Sequence, residues 1–243
     1  MAFGGLIQSV VGKARDDSPT ATLPGAITEG NLLIVIYAVD DGIDLSTLPT
    51  GFAEDVVLED TVNGLTILSK IAGASESTTI SGTMAASDSW VWIIAEFEGP
   101  YESTQLDKTV SLNDGSLDTD KSTGTAETAQ ADELLIAAWC TQDGDPPSEN
   151  PAVTNSFTLH EAESISGQLG DPGGFLASRV VTATGTFEST LSWDTTSSRG
   201  KGVMATYKKE AGAPAGRVMG ALAGHGGLAG AGGLAGVRGG LAG

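Results

Sequence analysis

Carboxylates are concentrated in three short turns of the sequence, and clustered carboxylates can bind calcium. The turns cover residues 40–44, 113–120 and 143–145. Ca²⁺ takes about six to eight oxygen ligands from such loops, although none of these turns has the spacing of an EF-hand. The best candidate metal ligands are Asp114, Asp118 and Asp120. The competing interpretation needs no cofactor, because Asp and Asn also hydrogen-bond their own backbone in ordinary turns.

Two further acids, Glu96 and Glu98, alternate with aromatic residues in the segment 89–99, SWVWIIAEFEG. A pair of carboxylates across a cleft is the arrangement that glycoside hydrolysis uses. The comparable positions in a second copy of this segment, described below, carry Thr206 and Lys208. We therefore expect Glu96 and Glu98 to lie on the edge or surface of a sheet, with a lectin-like glycoside hydrolase as the weaker alternative.

Trp90 and Trp92 lie two residues apart in the same segment. Side chains alternate along a strand, so both indoles point to the same face. If that face is exposed, it could serve as a stacking platform for a host glycan. If it is covered, the two residues are core or interface aromatics, which is the commoner role.

Histidine and cysteine are too scarce for most catalytic and metal sites. The sequence has two histidines and one cysteine, Cys140, and therefore no disulfide framework and no cluster of zinc ligands. His160 precedes Glu161, but no nucleophile-elbow, zinc-protease or phosphate-loop motif accompanies it. We predict no catalytic and no cofactor-binding residue, and we expect Cys140 to be a buried apolar side chain.

The segments that would position these residues are typical of β-strands. Residues 31–39, NLLIVIYAV, form a continuous apolar run that is short for a helix and rich in β-branched residues. Asn63-Gly64 lies between the segments 54–60 and 65–71 and predicts a hairpin, because both residues tolerate positive φ. We predict an all-β protein, a two-sheet β-sandwich of the jelly-roll or lectin-like type.

An internal duplication is visible in the strands. NLLIVIYAVDDG at 31–42 matches ELLIAAWCTQDG at 133–144, and further matches follow in the same order up to the closing strands 89–98 and 202–209. Leu32 and Leu134 should therefore occupy equivalent core positions.

The duplication also predicts how the chain is divided. We expect halves at about 31–99 and 133–209 to build one sandwich within residues 1–210. The polar segment 100–132 is expected to be a linker that crosses between the halves. Residues 211–243 form a separate Gly-, Ala- and Leu-rich tail.

The charge distribution excludes some partners. The net charge is −19, and all 31 acidic residues precede residue 211. Such an acidic body repels nucleic acid and anionic membranes, so we expect neither as a partner. No segment has the roughly 18 apolar residues of a membrane span. The N-terminal residues lack the features of a signal peptide, and we therefore expect assembly in a cytoplasm.

The C-terminal tail has a short repeat of its own. Leu222, Leu228, Leu234 and Leu241 recur at spacings of six, six and seven residues, and Ala-Gly follows each of them. Gly loses much conformational freedom on ordering, and a few Leu and Ala side chains bury little area to offset that loss. We expect an assembly tail, whose leucines gain stability only against a partner.

Several short motifs of the body resemble β-sandwich virion proteins of tailed bacteriophages. The motifs are Pro24-Gly25, GNLLIV at 30–35, Gly51-Phe52, KIAGA at 70–74, EFEG at 96–99 and ELLIA at 133–137. The resemblance covers about residues 5–209. The Gly-Leu-Ala-Gly tail is similar to the C-termini of some of those proteins.

The resemblance implies a structural role on a virus particle and transfers no catalytic residue. The chain would be a non-enzymatic protein that decorates or stabilises the capsid, as a homotrimer bound to other virion proteins. The alternative is a tail or fibre component that binds host surface glycans through Trp90 and Trp92 or through the Asp-rich turns. Either protein would be located in the virion after assembly in the bacterial cytoplasm.

Overall fold

A computed structural model describes residues 3–142, 146–165 and 170–212. These residues form nineteen β-strands and one 3-10 helix, η1. In chain order the elements are β1 (Leu6–Asp16), β2 (Thr20–Thr22), β3 (Leu32–Asp40), β4 (Leu45–Thr47), β5 (Ala53–Glu59), β6 (Asn63–Ile71), β7 (Thr79–Ser81), β8 (Thr83–Met84), β9 (Asp88–Phe97), β10 (Tyr101–Asp118), β11 (Asp120–Ser122), β12 (Ala126–Glu127), β13 (Glu133–Thr141), η1 (Pro146–Ser148), β14 (Ala152–Val153), β15 (Thr158–Ser164), β16 (Gly173–Val181), β17 (Thr186–Phe187), β18 (Thr190–Ser192) and β19 (Ser198–Lys209).

Ten of these strands form two antiparallel five-stranded sheets. The first sheet has the order β1-β9-β3-β6-β5, and the second has the order β10-β19-β13-β16-β15. Position by position, the second sheet repeats the first, so each copy of the duplication folds into one sheet. The prediction of an all-β sandwich built from two duplicated halves is confirmed.

The central strands are buried on both faces, which explains their continuous apolar sequences. In β3, the even-numbered residues from Leu32 to Ala38 face the second sheet and pack in a core that it shares with the first. The odd-numbered residues from Leu33 to Val39 face outward, under the short strands β2, β4, β7 and β8. The outer face of the second sheet is covered in the same way by β11, β12, β14, β17 and β18.

Leu32 and Leu134 occupy the equivalent positions that the duplication predicts. Leu32 pairs with Phe97 of β9, and Leu134 pairs with Tyr207 of β19. Both leucines are fully buried in the core between the sheets. The edges of the sandwich are reciprocal as well, because β1 lies against β15 and its counterpart β10 lies against β5. Such reciprocal contacts are those expected of two halves related by an approximate twofold axis.

The segment 100–132 differs from the expected linker. Its first part is β10, which occupies in the second sheet the place that β1 occupies in the first. The chain crosses between the sheets over residues 98–100, where the Gly99-Pro100 peptide is cis. β10 is polar because an edge strand is exposed along much of its length. Its sequence therefore lacks the apolar pattern that marks the central strands.

The predicted hairpin is present as β5 and β6, with Glu59 opposite Gly64. Its turn is formed earlier than the Asn-Gly pair suggests. Asp60 Oδ1 accepts hydrogen bonds from the backbone nitrogens of Val62, at 2.8 Å, and Asn63, at 3.2 Å. Asn63 and Gly64 already belong to β6, and the Asn63 side chain is buried.

Met1–Gly212 make up one compact unit. Within the residues described, no helix has the length and apolar character needed to cross a membrane. The tail leucines Leu222, Leu228, Leu234 and Leu241 lie outside the described residues.

The shared core predicts that the two sheets unfold together. Leu32→Ala and Leu134→Ala should each lower the free energy of unfolding by about 2–5 kcal/mol, because both remove a side chain from the same closed core. Denaturant unfolding followed by fluorescence and circular dichroism should give one transition for each variant. Two fragments, 1–100 and 130–210, that each fold stably alone would contradict this prediction.

Candidate functional site

The first polar cluster between the sheets, here called the hairpin cluster, consists of Asp60, Asn63, Asn113 and Lys201. Lys201 lies on the inner face of β19, and its side chain is 1% exposed. Its ammonium donates to the backbone oxygen of Asn63 at 2.8 Å, contacts the Asn63 side-chain oxygen, and lies 2.9 Å from Asp60 Oδ1. Asn113 of β10 donates to Asp60 Oδ2 at 2.8 Å. Two strands of the second sheet thus hold the first hairpin.

The electrostatics of the hairpin cluster are dominated by the ion pair. Burial alone would raise the pKa of Asp60, but the hydrogen bonds from Lys201, Val62 and Asn113 outweigh it and hold that pKa well below its usual range. The Asn63 side-chain nitrogen is buried and has no hydrogen-bond partner. An unmatched buried donor is uncommon in folded proteins and calls for an explanation.

A second cluster stands in the corresponding place of the other half. Asp171 precedes β16 and is 1% exposed. Arg15 of β1 donates to it through Nε at 3.2 Å and Nη2 at 2.5 Å, and Ser89 of β9 donates at 2.9 Å. Each half therefore contributes one aspartate, Asp60 or Asp171, which lies just before the second strand of its hairpin. Residues of the first and closing strands of the other sheet bind this aspartate.

His160 belongs to a third, also duplicated, arrangement. It is the bulged residue of β15, as Asp55 is of β5. His160 Nε2 lies 2.7 Å from Ser178 Oγ, and its ring packs edge-on against Phe97 at 6.0 Å. Burial lowers the pKa of His160, which favours the neutral ring.

Asp55 makes the equivalent contacts in the other half, with different chemistry. Tyr207 stands where Phe97 stands and donates its hydroxyl to Asp55 Oδ2 at 2.6 Å. Burial raises the pKa of Asp55, and hydrogen bonds from Ser69 and Tyr207 oppose that shift. The counterpart of a His160–Ser178 contact is thus an Asp55–Ser69 contact. In both halves, the bulged residue thus contacts a serine of its own sheet and an aromatic side chain of the other sheet, and the aromatic contact is the one that joins the sheets.

Glu96 is a buried structural acid, so the expectation that it lies on the sheet surface was wrong. Its two oxygens accept hydrogen bonds from Gln8 Nε2 at 2.6 Å, the backbone nitrogen of Thr28 at 2.8 Å and Asn31 Nδ2 at 2.6 Å. Its alignment with Thr206 is correct, because the two residues pair with the equivalent residues Leu33 and Leu135. Glu96 fastens the segment before β3 to the outer face of β9.

Trp90 and Trp92 do not form a surface platform for glycans, which corrects one of the two interpretations. They are 2% and 0% exposed in the outer core of the first sheet. Trp90 Nε1 donates to Asp16 Oδ1 at 3.0 Å, and Trp92 Nε1 donates to the Ile80 carbonyl oxygen at 3.3 Å. The short strand that contains Ile80 covers this face, so a sugar ring cannot stack there.

The predicted calcium ligands Asp114 and Asp118 are engaged by a lysine. The fully buried Lys121 contacts Asp118 Oδ1 and lies 3.7 Å from Asp114 Oδ2. Asp120 begins β11 with its side chain exposed. Among the described residues, no three His, Cys, Asp or Glu side chains are grouped so as to hold a metal ion. The acidic turn at 143–145 lies outside those residues.

Comparisons with known proteins assign this chain to no family. No family model, no curated protein and no solved structure matches it.

The duplicated contacts of Asp55 and His160 predict a compensating pair of substitutions. Tyr207→Phe should destabilise the protein by about 1–3 kcal/mol, because Asp55 then loses a buried donor. Adding Asp55→His to that variant recreates the Phe97 and His160 arrangement of the other half. We expect the double variant to be more stable than Tyr207→Phe alone in denaturant unfolding. Strictly additive losses would contradict the equivalence of the two places.

Replacing Asp40 should stabilise the protein to an extent that depends on pH. Burial, with the charges of Asp41, Asp88 and Asp171, raises the pKa of Asp40 to about 6. The folded state therefore favours the protonated acid, and the associated stability is present below about pH 4 and is lost as the pH rises through 6. Asp40→Asn should raise the free energy of unfolding at pH 8 and change it little at pH 4. Equal effects at both pH values would contradict the shift.

Proposed function

We propose that this chain is a non-enzymatic structural protein of a tailed-bacteriophage virion, which stabilises the capsid by symmetric assembly as a homotrimer. The observation that carries the proposal is the pairing of two features. The body uses its buried polar residues as fastenings between its own sheets, and the chain continues into a tail of regularly spaced leucines and glycines. The first feature suits a rigid building block, and the second suits attachment.

The candidate catalytic residues support a structural role. Glu96 is occupied by three donors, and His160 is held between Ser178 and Phe97. The His160–Ser178 contact has a counterpart in the Asp55–Ser69 contact of the other half, and the oxygens of Glu96 are taken up by structural donors. Their places are explained by the packing of the halves.

The glycan-binding alternative has lost its main support. Trp90 and Trp92 are buried, and Asp114 and Asp118 are held by Lys121. We therefore place the proposed contacts with other virion proteins, and with copies of this chain, on the tail.

The tail provides the test of the proposal. Deleting residues 212–243 should leave the body folded, because the core of the sandwich closes without those residues. The deletion should abolish trimer formation and binding to particles. Leu228→Asp with Leu234→Asp should act similarly, since each lost leucine contact costs about 1.5–3 kcal/mol per chain.

The measurements are sedimentation of the purified chain and location of a labelled copy on purified particles. Leu117→Asp is the matched control, because it places the same charge at a leucine of the body that is 63% exposed. The control should assemble normally. A truncated chain that still assembles and binds particles would refute the role of the tail.

A further inference from the structure

Lys201 and Asn63 are buried against each other at one end of the core between the sheets. Lys201 is on β19 of the second sheet, and Asn63 is on β6 of the first. Both side chains are about 1% exposed, and the lysine ammonium contacts the Asn63 side-chain oxygen. The two residues come from different halves and are 138 positions apart.

The contact brings an amine to a carboxamide carbon. The carbon of a C=O group lies about 1.2 Å from its oxygen, so an amine in contact with Asn63 Oδ1 is also within reach of Cγ. Holding two groups in this way converts their reaction into an effectively unimolecular step. The lysine is held from a second direction as well, since Nζ also donates to the Asn63 backbone oxygen at 2.8 Å.

A carboxylate stands at the same nitrogen. Asp60 Oδ1 lies 2.9 Å from Lys201 Nζ, within the distance for proton transfer. An ammonium must lose a proton before it can attack. Asp60 is placed to receive that proton, and the transfer itself ends the ion pair with Lys201 that helps to keep the pKa of Asp60 low. Asp60 is itself held by Asn113 and by the backbone nitrogens of Val62 and Asn63.

We propose that Lys201 and Asn63 form an intramolecular isopeptide bond that joins the two sheets covalently. Lys201 Nζ gives a proton to Asp60 and bonds to Asn63 Cγ. The Cγ–Nδ2 bond then breaks. The departing NH₂ group takes up two protons, one from Asp60 and one of the two left on Nζ, and the new amide keeps the other. The lysine ammonium and the asparagine amide are consumed, and a secondary amide and one ammonium ion are formed. No oxidant, reductant or co-reactant is required.

The bond would resolve two costly features of the hairpin cluster. It removes a buried positive charge, because the product amide is neutral. It also removes the Asn63 side-chain nitrogen, the buried donor that has no partner. Asp60 keeps three other donors after the reaction.

A second reaction of Asn63 also releases ammonia and must be distinguished. In an Asn-Gly sequence, the backbone nitrogen of the glycine can attack the asparagine side chain and close a succinimide. Here Gly64 lies within the sheet, opposite Val39 of β3 and Glu59 of β5. Ring closure would require its nitrogen to leave that extended ladder, so the fold favours attack by Lys201.

The test is the intact mass of the full-length protein after denaturation. We expect a mass lower than that of the sequence by one ammonia molecule, and a proteolytic peptide pair in which the Asn63 segment is linked to the Lys201 segment. The full sequence mass would overturn the proposal. A loss of ammonia that persists in Lys201→Arg would also overturn it, because only the succinimide can form in that variant.

Matched variants separate the roles of the three residues. Lys201→Met and Asn63→Ala should each keep the full sequence mass, whereas Lys121→Arg, at the other buried lysine, should still lose ammonia. Asp60→Ala should retain the sequence mass if Asp60 accepts the proton, and continued linkage in that variant would refute this role. Circular dichroism checks the fold of each variant. The linked peptide in the unaltered protein decides the proposal even if a variant does not fold.

Discussion

Burial of both faces of each five-stranded sheet is the constraint on which the rest of this structure depends. One face of each sheet meets the other sheet, and the opposite face lies beneath short strands of its own half. A polar group on an inner face is largely screened from water, so it needs a partner within the protein, and the opposite sheet can supply one. Lys201, Asp171 and Asp55 satisfy this requirement, and their partners are therefore distant in sequence. The same contacts hold the halves in register.

The duplicated halves differ in the side chains that fill equivalent paired positions of their outer cores. Tyr37 and Trp92 pack edge-on at 5.9 Å in the first half. At the equivalent pair in the second half, Trp139 stands opposite Gly202. A Cβ at Gly202 would collide with the Ser122 carbonyl oxygen and would lie 2.9 Å from Trp139, so the backbone of residue 122 and the larger indole together leave room only for glycine. A core of fixed volume tolerates such reciprocal changes better than single enlargements.

The sequence predicted the features that repeat locally and missed those that depend on distant partners. Leu32 and Leu134, and the hairpin of β5 and β6, follow from apolar runs and turn residues close to them. The place of β10 could not be read in the same way, because an edge strand carries little apolar pattern. The burial of Trp92 depends on Ile80, and although the segment 77–84 has the composition of a strand, nothing in it indicates which sheet face it covers. One feature of the sequence could have indicated that Lys201 is buried, because it falls on the same strand face as the core residues Val203 and Ala205.

The placement of charge bears on the proposed assembly of this chain. Among the described residues of the body, six basic side chains form ion pairs, and two of them, Lys121 and Lys201, are buried. The chain as a whole has 31 acidic and 12 basic residues, so the acids far outnumber the cations that could neutralise them. Copies of such a body repel one another through their surfaces. Assembly of this chain would then depend on apolar contacts, and the evenly spaced leucines of the tail, which carries Arg217 and Arg238 and no acid, have the composition to supply them.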